Sequence, residues 1–196
     1  VSAATTGLGH TRWATHGGVT EQNAHPLAGC EAARLSIVLN GIVENYRELR
    51  EKLKAEGHVF TSETDAETVS HLIEKAYAGD LTEAVRIAYR QLEGHFAFVA
   101  IHADHPDMLV GARFQCPLVV GVGEGESFLA SNAAAFICSP CCWSWQASSS
   151  AMSVGSSETM EPCWWSMASR SHCLTVDSCG RRPTMPIPWG QRSQGE

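Results

Sequence analysis

The feature that most constrains this chain is a switch in its apolar period. Across residues 46–92 apolar side chains recur at helical spacing; across 95–130 they gather in short runs of strand formers. Three helices are expected in the first block. Tyr46, Leu49 and Leu53 mark the stripe of one, with Asn45 and Glu48 as its capping pair and Gly57 as its stop. Val69, Leu72, Ile73 and Ala76 mark the second, behind a Thr64/Glu67 capping box and ahead of Gly79. Asp80 and Glu83 cap the third, whose buried face is Leu81, Ala84, Val85, Ala88 and Leu92. Strands are expected at 35–39, ending in an Asn40-Gly41 turn, and at 95–101, 108–113, 117–122 and 127–130. The run 95–101 is apolar on both faces, as a strand covered on both sides requires. Gly121, Gly123 and Gly125 lie between two strand-like runs and read as a hairpin turn, not a phosphate loop. Residues 1–34 read as turn, strand and loop. Helices stacked on sheets give an α+β architecture.

A second break falls at residue 137. Residues 1–137 hold two cysteines, Cys30 and Cys116; residues 138–196 hold six, together with five of the six tryptophans. The second stretch keeps neither helical nor strand period. Its four arginines balance its four acidic groups, so the net charge of −7 comes entirely from 1–137. We therefore divide the chain into a folded domain at 1–137 and an unassigned Cys/Ser/Trp-rich tail at 138–196, whose composition fits a frameshifted or disordered segment. Cys138, Cys141, Cys142, Cys163, His172 and Cys173 offer a zinc reading, but structural zinc favours two regularly spaced ligand pairs, which this set lacks.

The balance of charge argues against nucleic acid as a partner, because no basic stripe is present. No apolar run of roughly 18 residues is present, so no membrane span is expected. Without a basic leader or a disulfide-like cysteine framework in 1–137, a cytoplasmic protein is expected.

The chemistry concentrates in the first 65 residues. The run from His10 to Thr20 packs Arg12, Trp13, Thr15 and His16 beside Gly17 and Gly18, and Asn23, His25 and Pro26 follow closely. A fixed cation, an aromatic wall and several short-range donors suit a zwitterionic amino acid better than they suit a structural strand. Arginine's planar fork matches a carboxylate. Two further motifs follow, from Asn40-Gly41 to Asn45 and from Ser62 to Asp65. Taken singly each has an ordinary explanation: an acidic residue such as Asp65 favours any helix N-terminus, and Asn-Gly is a common turn. His10, His16 and His25 sit six and nine residues apart, which matches no metal-ligand spacing, so no metal site and no cofactor are expected.

Together these motifs resemble the N-terminal class II glutamine amidotransferase (glutaminase) domain of the glutamine–fructose-6-phosphate aminotransferase family, over about residues 7–136. The resemblance implies a four-layer αββα sandwich of the N-terminal-nucleophile hydrolase type, here incomplete at both ends. It implies that Arg12 pairs with the α-carboxylate of glutamine, that Thr15 and His16 bond around the same end, and that Trp13 forms a packing wall. It assigns Asp65 to the α-ammonium group and Asn40 with Gly41 to the oxyanion hole. It implies an intact enzyme, a homo-oligomer, that hydrolyses glutamine and passes ammonia to an isomerase domain. There fructose 6-phosphate becomes glucosamine 6-phosphate, the entry to hexosamine biosynthesis. The family's nucleophile is an N-terminal cysteine whose own amine is the base. Val1 stands first here, and no isomerase domain is recognisable, so the chain is expected to be an inactive fragment. Leu39 and Asn132 stand where the family pattern has histidine and aspartate. Two other readings remain: another class II amidotransferase, such as an amidophosphoribosyltransferase, and a non-catalytic glutamine-binding module.

Overall fold

The computed structural model describes residues 5–31, 34–122, 126–133 and 135, and the backbone of 163–168 and 172–176. A two-residue strand, β1 (Leu27–Ala28), and a nine-residue strand, β2 (Leu35–Val43), precede three helices: α1 (Tyr46–Ala55), α2 (Ala66–Ala76) and α3 (Leu81–Tyr89). Strands β3 (Gly94–His102), β4 (His105–Phe114), β5 (Val119–Val122), β6 (Ser127–Ala130), β7 (Cys163–Ala168) and β8 (His172–Val176) follow. Six strands form one antiparallel sheet in the order β1-β2-β3-β4-β7-β8, and β5 pairs with β6 in a second.

The alternation of β2 explains the core. Leu35, Ile37, Leu39 and Val43 are buried on one face, beside Phe96, Phe98 and Ala100 of β3 and Val110 and Ala112 of β4. Against them pack Leu49 and Leu53 of α1, Val69, Leu72 and Ile73 of α2, and Leu81, Val85 and Ala88 of α3. Each such side chain taken fully out of water contributes roughly 1.5–3 kcal/mol. The opposite face of the main sheet is covered as well: Ala97 and Val99 are buried, and a Cβ on Gly111 of β4 would meet Leu118 and Leu129 beside the second sheet at 2.9 and 3.0 Å. Helices, main sheet and second sheet thus stack as three successive layers of an α+β sandwich.

Several local expectations change. Asn40-Gly41 is not a turn: β2 runs through it to Val43, with Gly41 opposite Phe96. Gly41 has φ +94°, and a Cβ there would fall 2.0 Å from the His95 carbonyl oxygen, so glycine is what allows the strand to continue. Asn45 does not cap α1 through its side chain; its amide donates to the Gln91 carbonyl and accepts from the Glu93 N–H, while Glu48 pairs with Lys52. Of the Thr64/Glu67 box one half forms, the Glu67 N–H donating to Thr64 Oγ1 at 3.4 Å, while the Glu67 carboxylate reaches back past Thr64 to Thr61 and Ser62. Asp80 caps α3 as expected, accepting from Thr82 and Glu83 N–H at 2.8 and 3.1 Å, and Gly57 and Gly79 both have positive φ. No strand forms among described residues 5–26, where a short 3-10 turn (Glu21–Asn23) is the regular element. In the tail, β7 lies along β4 and β8 along β7, although no period was legible there. Cys138, Cys141, Cys142 and Cys179 lie outside the described residues, as do Gly123 and Gly125.

Candidate functional site

Where β2 carries Asn40-Gly41 past the start of α2, the loop of residues 10–18 closes over a cavity of about 170 Å³. Arg12, Trp13, Thr15, His16, Asn40, Gly41 and Asp65 all line it, joined by His10, His25, Leu39, Thr64 and Ala66. Segments 50 residues apart in sequence therefore supply one wall each.

The covering loop is held from within. Arg12 has φ +41°, a left-handed conformation that costs a non-glycine residue roughly 1–2 kcal/mol. Its guanidinium donates to the carbonyls of Gly18 at 2.9 Å, His16 at 2.8 Å and Gly17 at 3.3 Å. That leaves two of the five N–H donors of the fork for anything else. Buried Asn23 ties the loop to the next motif: its Nδ2 donates to Gly18 O and Glu63 Oε2, and its Oδ1 accepts from Glu63 N–H at 2.9 Å. Gly17 lies under this link; a Cβ there would meet Asn23 Nδ2 at 2.7 Å. Trp13 points outward and is 90% exposed, so in this conformation it forms the rim and not a packed wall.

Asp65 is buried at the base. Its Oδ2 accepts from Val43 N–H at 2.8 Å, and its Oδ1 faces His16 Nδ1 at 3.5 Å, too far for a good hydrogen bond. One carboxylate oxygen is thus anchored and the other looks into the cavity beside an unpartnered imidazole nitrogen. The Glu67 carboxylate two residues on fixes this end of α2. Burial alone would raise its pKa, but the His71 imidazole, the N–H groups of Thr61 and Ser62 and the Ser62 hydroxyl outweigh burial and hold it at about 2.

The orientation of Asn40 follows from a backbone donor. Arg12 N–H donates to His10 Nδ1 at 2.9 Å, so His10 carries its own proton on Nε2. His10 Nε2 must then donate to Asn40, whose contacting atom at 2.7 Å is Oδ1. The Asn40 amide nitrogen takes no acceptor among the described residues and remains as a donor. His10 stands in the motif run, but its part in orienting Asn40 emerges only in the folded chain. His25 was likewise unassigned. Its ring lies 4.4 Å from that of His10, and burial, reinforced by His10 and Arg12, lowers its pKa to about 4, so it is neutral at pH 7.

No cysteine lines this cavity among the described residues. Cys116 Sγ comes within 2.9 Å of where a Cβ on Gly41 would stand, yet burial pushes its thiol pKa up, which opposes the thiolate that nucleophilic attack needs.

Comparison with known proteins fits this geometry. Residues 10–138 match the family model described as a glutamine amidotransferase domain. The chain is 58% identical over 137 residues to the glutamine–fructose-6-phosphate aminotransferase (isomerizing) of Streptomyces coelicolor, covering 69% of this chain and 22% of that protein. It is 53% identical to the enzymes of the same name from Aquifex aeolicus (68% and 22% covered) and Thermus thermophilus (67% and 21%). The chain therefore spans about a fifth of the length of these relatives. Among solved structures it is similar to the glutamine phosphoribosylpyrophosphate amidotransferase of B. subtilis, with TM-score 0.55 and 25% identity over 65% of this chain and 28% of that one. A second, described as the allosteric regulatory enzyme of purine biosynthesis, gives TM-score 0.56 and 26% identity over the same shares. On the match across residues 10–138, the chain belongs to the glutamine amidotransferase domain family.

Proposed function

We propose that the cavity holds the amino-acid end of glutamine, and that the chain is the glutaminase portion of a glutamine–fructose-6-phosphate aminotransferase. The observation that carries this reading is convergence: three separated motifs deliver all seven expected residues to one cavity of about 170 Å³, and a fourth adds His25. The free Oδ1 of Asp65 takes the α-ammonium group. The remaining donors of Arg12 take the α-carboxylate, with Thr15 and His16 beside it, and Trp13 closes down from the rim. The side-chain amide opposite stands at Asn40 and Gly41, where the Asn40 Nδ2 and the Gly41 N–H stabilise the oxyanion of acyl transfer. Such a donor is typically worth about 10²–10³ in rate. In the whole enzyme the ammonia released goes to fructose 6-phosphate, yielding glucosamine 6-phosphate.

With no thiol among the described residues that line the cavity, this chain binds glutamine without turning it over. Identity of 53–58% to the sugar-phosphate enzymes, against 25–26% to the phosphoribosyl enzymes, favours the former as the parent activity. Calorimetric titration with L-glutamine, alongside an assay for released glutamate, tests both statements. Saturable binding lost in Arg12→Ala, with no glutamate formed, is the expected result. Glutamate release by the purified chain that disappears in Arg12→Ala contradicts the claim of inactivity, and failure of any saturable binding contradicts the reading of the cavity.

A further inference from the structure

Further along α2 from the cavity, four ligand-type side chains from three segments converge. Cys30 comes from the β1–β2 connection, His58 from the α1–α2 connection, and His71 and Glu74 from one turn of α2; their ligand atoms all lie within 4.8 Å of one another. The two Nδ1 atoms of His58 and His71 are 3.2 Å apart. Cys30 Sγ lies 3.6 Å from each of them. Glu74 Oε2 lies 3.6 Å from His58 Nδ1 and 3.4 Å from His71 Nδ1.

These separations are the edges of a tetrahedron of a particular size. Zinc bond lengths of about 2.05 Å to nitrogen, 2.1 Å to oxygen and 2.3 Å to sulfur place tetrahedral ligands about 3.3 Å apart for N–N, 3.6 Å for N–S and 3.4 Å for N–O. The five observed edges match this set to within about 0.2 Å, the tolerance expected of a metal site. Pairwise hydrogen bonding gives no reason for four donor atoms to share one centre.

The surroundings are also those of a metal site. His71 is fully buried, and its Nε2 has no hydrogen-bond partner but points at Glu67 Oε1, 3.8 Å away. With Nδ1 on a metal, Nε2 carries the proton and faces a carboxylate, the usual second partner of a metal-bound histidine. Both Glu74 oxygens are held by backbone, Cys30 N–H on Oε2 and Glu31 N–H on Oε1, each at 2.9 Å. Gly29 makes room for this: a Cβ there would meet the Glu74 carboxylate at 2.7 Å.

We propose that Cys30, His58, His71 and Glu74 form a four-coordinate Zn²⁺ site that pins the β1–β2 and α1–α2 connections to α2. A thiolate with two imidazoles selects zinc over magnesium or calcium, and four protein ligands make the site structural. It stands apart from the glutamine cavity and does not rest on that reading. It goes against the expectation of no metal, which weighed only His10, His16 and His25 in this part of the chain. The four ligands span 45 positions, and no local spacing marks them.

The test must distinguish this site from the six cysteines of the tail. Carboxymethylation of Cys30 in the full chain, followed by peptide mass spectrometry, reads this thiol alone. Structural zinc sites bind at roughly nanomolar levels or tighter, so Zn²⁺ is buffered at about that free concentration. The expected result is at least a 100-fold slowing of Cys30 modification, reversed by a chelator and abolished in His58→Gln, with one equivalent of zinc lost from the variant. The His58 side chain is 15% exposed, and far-UV circular dichroism establishes that the variant folds; Cys30→Ser, read by zinc stoichiometry, is the second variant. Unchanged Cys30 reactivity with zinc, or protection and stoichiometry that survive His58→Gln, overturns the proposal.

Discussion

Replacing Glu67 by glutamine removes a charge without changing shape, and the structure fixes how much that costs. Thr61 N–H and Oγ1 donate to Oε1 at 2.7 and 2.9 Å; Ser62 N–H and Oγ donate to Oε2 at 2.8 and 2.7 Å. A glutamine keeps one oxygen for one pair but turns an NH2 towards the other pair's backbone N–H. The Ser62 or Thr61 hydroxyl can rotate to accept; the backbone donor cannot. One buried donor left without a partner costs about 1–3 kcal/mol, and the surviving bonds lose their charge assistance. The lowered pKa of this carboxyl expresses the same bonds, with the His71 imidazole beside them. A carboxyl held at about 2 in the fold instead of 4.5 when free corresponds to roughly 3 kcal/mol of stability. The expected penalty for Glu67→Gln at pH 7 is therefore about 3 kcal/mol. Urea denaturation reads this as a drop in midpoint of about 1–3 M, for slopes of 1–3 kcal/mol/M. The pH dependence has a definite sign. Because the folded pKa lies below the unfolded one, the contribution is complete above about pH 4.5 and disappears as pH falls towards 2. The gap between wild type and variant should be flat from pH 7 to pH 5 and close below that. A penalty under 1 kcal/mol at pH 7, or a gap that widens in acid, refutes the reasoning.

Other outcomes follow from the same structure. Gly41→Ala combines a positive φ with a Cβ 2.0 Å from the His95 carbonyl, and should destabilise by about 3 kcal/mol or more in the same denaturation assay because β2 and β3 must separate. Asp80→Ala removes the two bonds that cap α3 and should cost about 1 kcal/mol by thermal melting, with glutamine affinity unchanged.

The fold between residues 35 and 130 is legible because its elements are amphipathic: β6 falls where the pattern places it, α1 and α2 lie within a residue or two of it, and α3 starts at Leu81 as placed but ends at Tyr89, before Leu92. What escaped is long-range. Asn45 was read as a local cap, yet it bonds across to Gln91 and Glu93, a choice that the helix's own sequence does not encode. Asn40-Gly41 was read as a turn because that pair usually makes one. The neighbouring strand instead holds it extended, and the glycine's freedom serves close approach to β3. Strands β7 and β8 carry no readable period; β7 pairs onto the edge that β4 offers and β8 onto β7. The candidate site was legible to the extent that its residues sit in dense runs. His10 and Cys30 were visible as residues, but a tautomer set by Arg12 N–H, and a tetrahedron drawn from three segments, exist only after folding.

The central claim is that the cavity reads the α-amino group of glutamine through Asp65. The measurement closest to it compares calorimetric affinities of L-glutamine and 4-carbamoylbutyrate, which is glutamine without that amino group. Losing a charge-assisted bond to a buried carboxylate is worth roughly 1.5–3 kcal/mol, so the analogue should bind at least about tenfold more weakly. Asp65→Asn should erase most of that difference. Equal affinities for the two ligands, or a preference for glutamine that survives Asp65→Asn, would contradict the account.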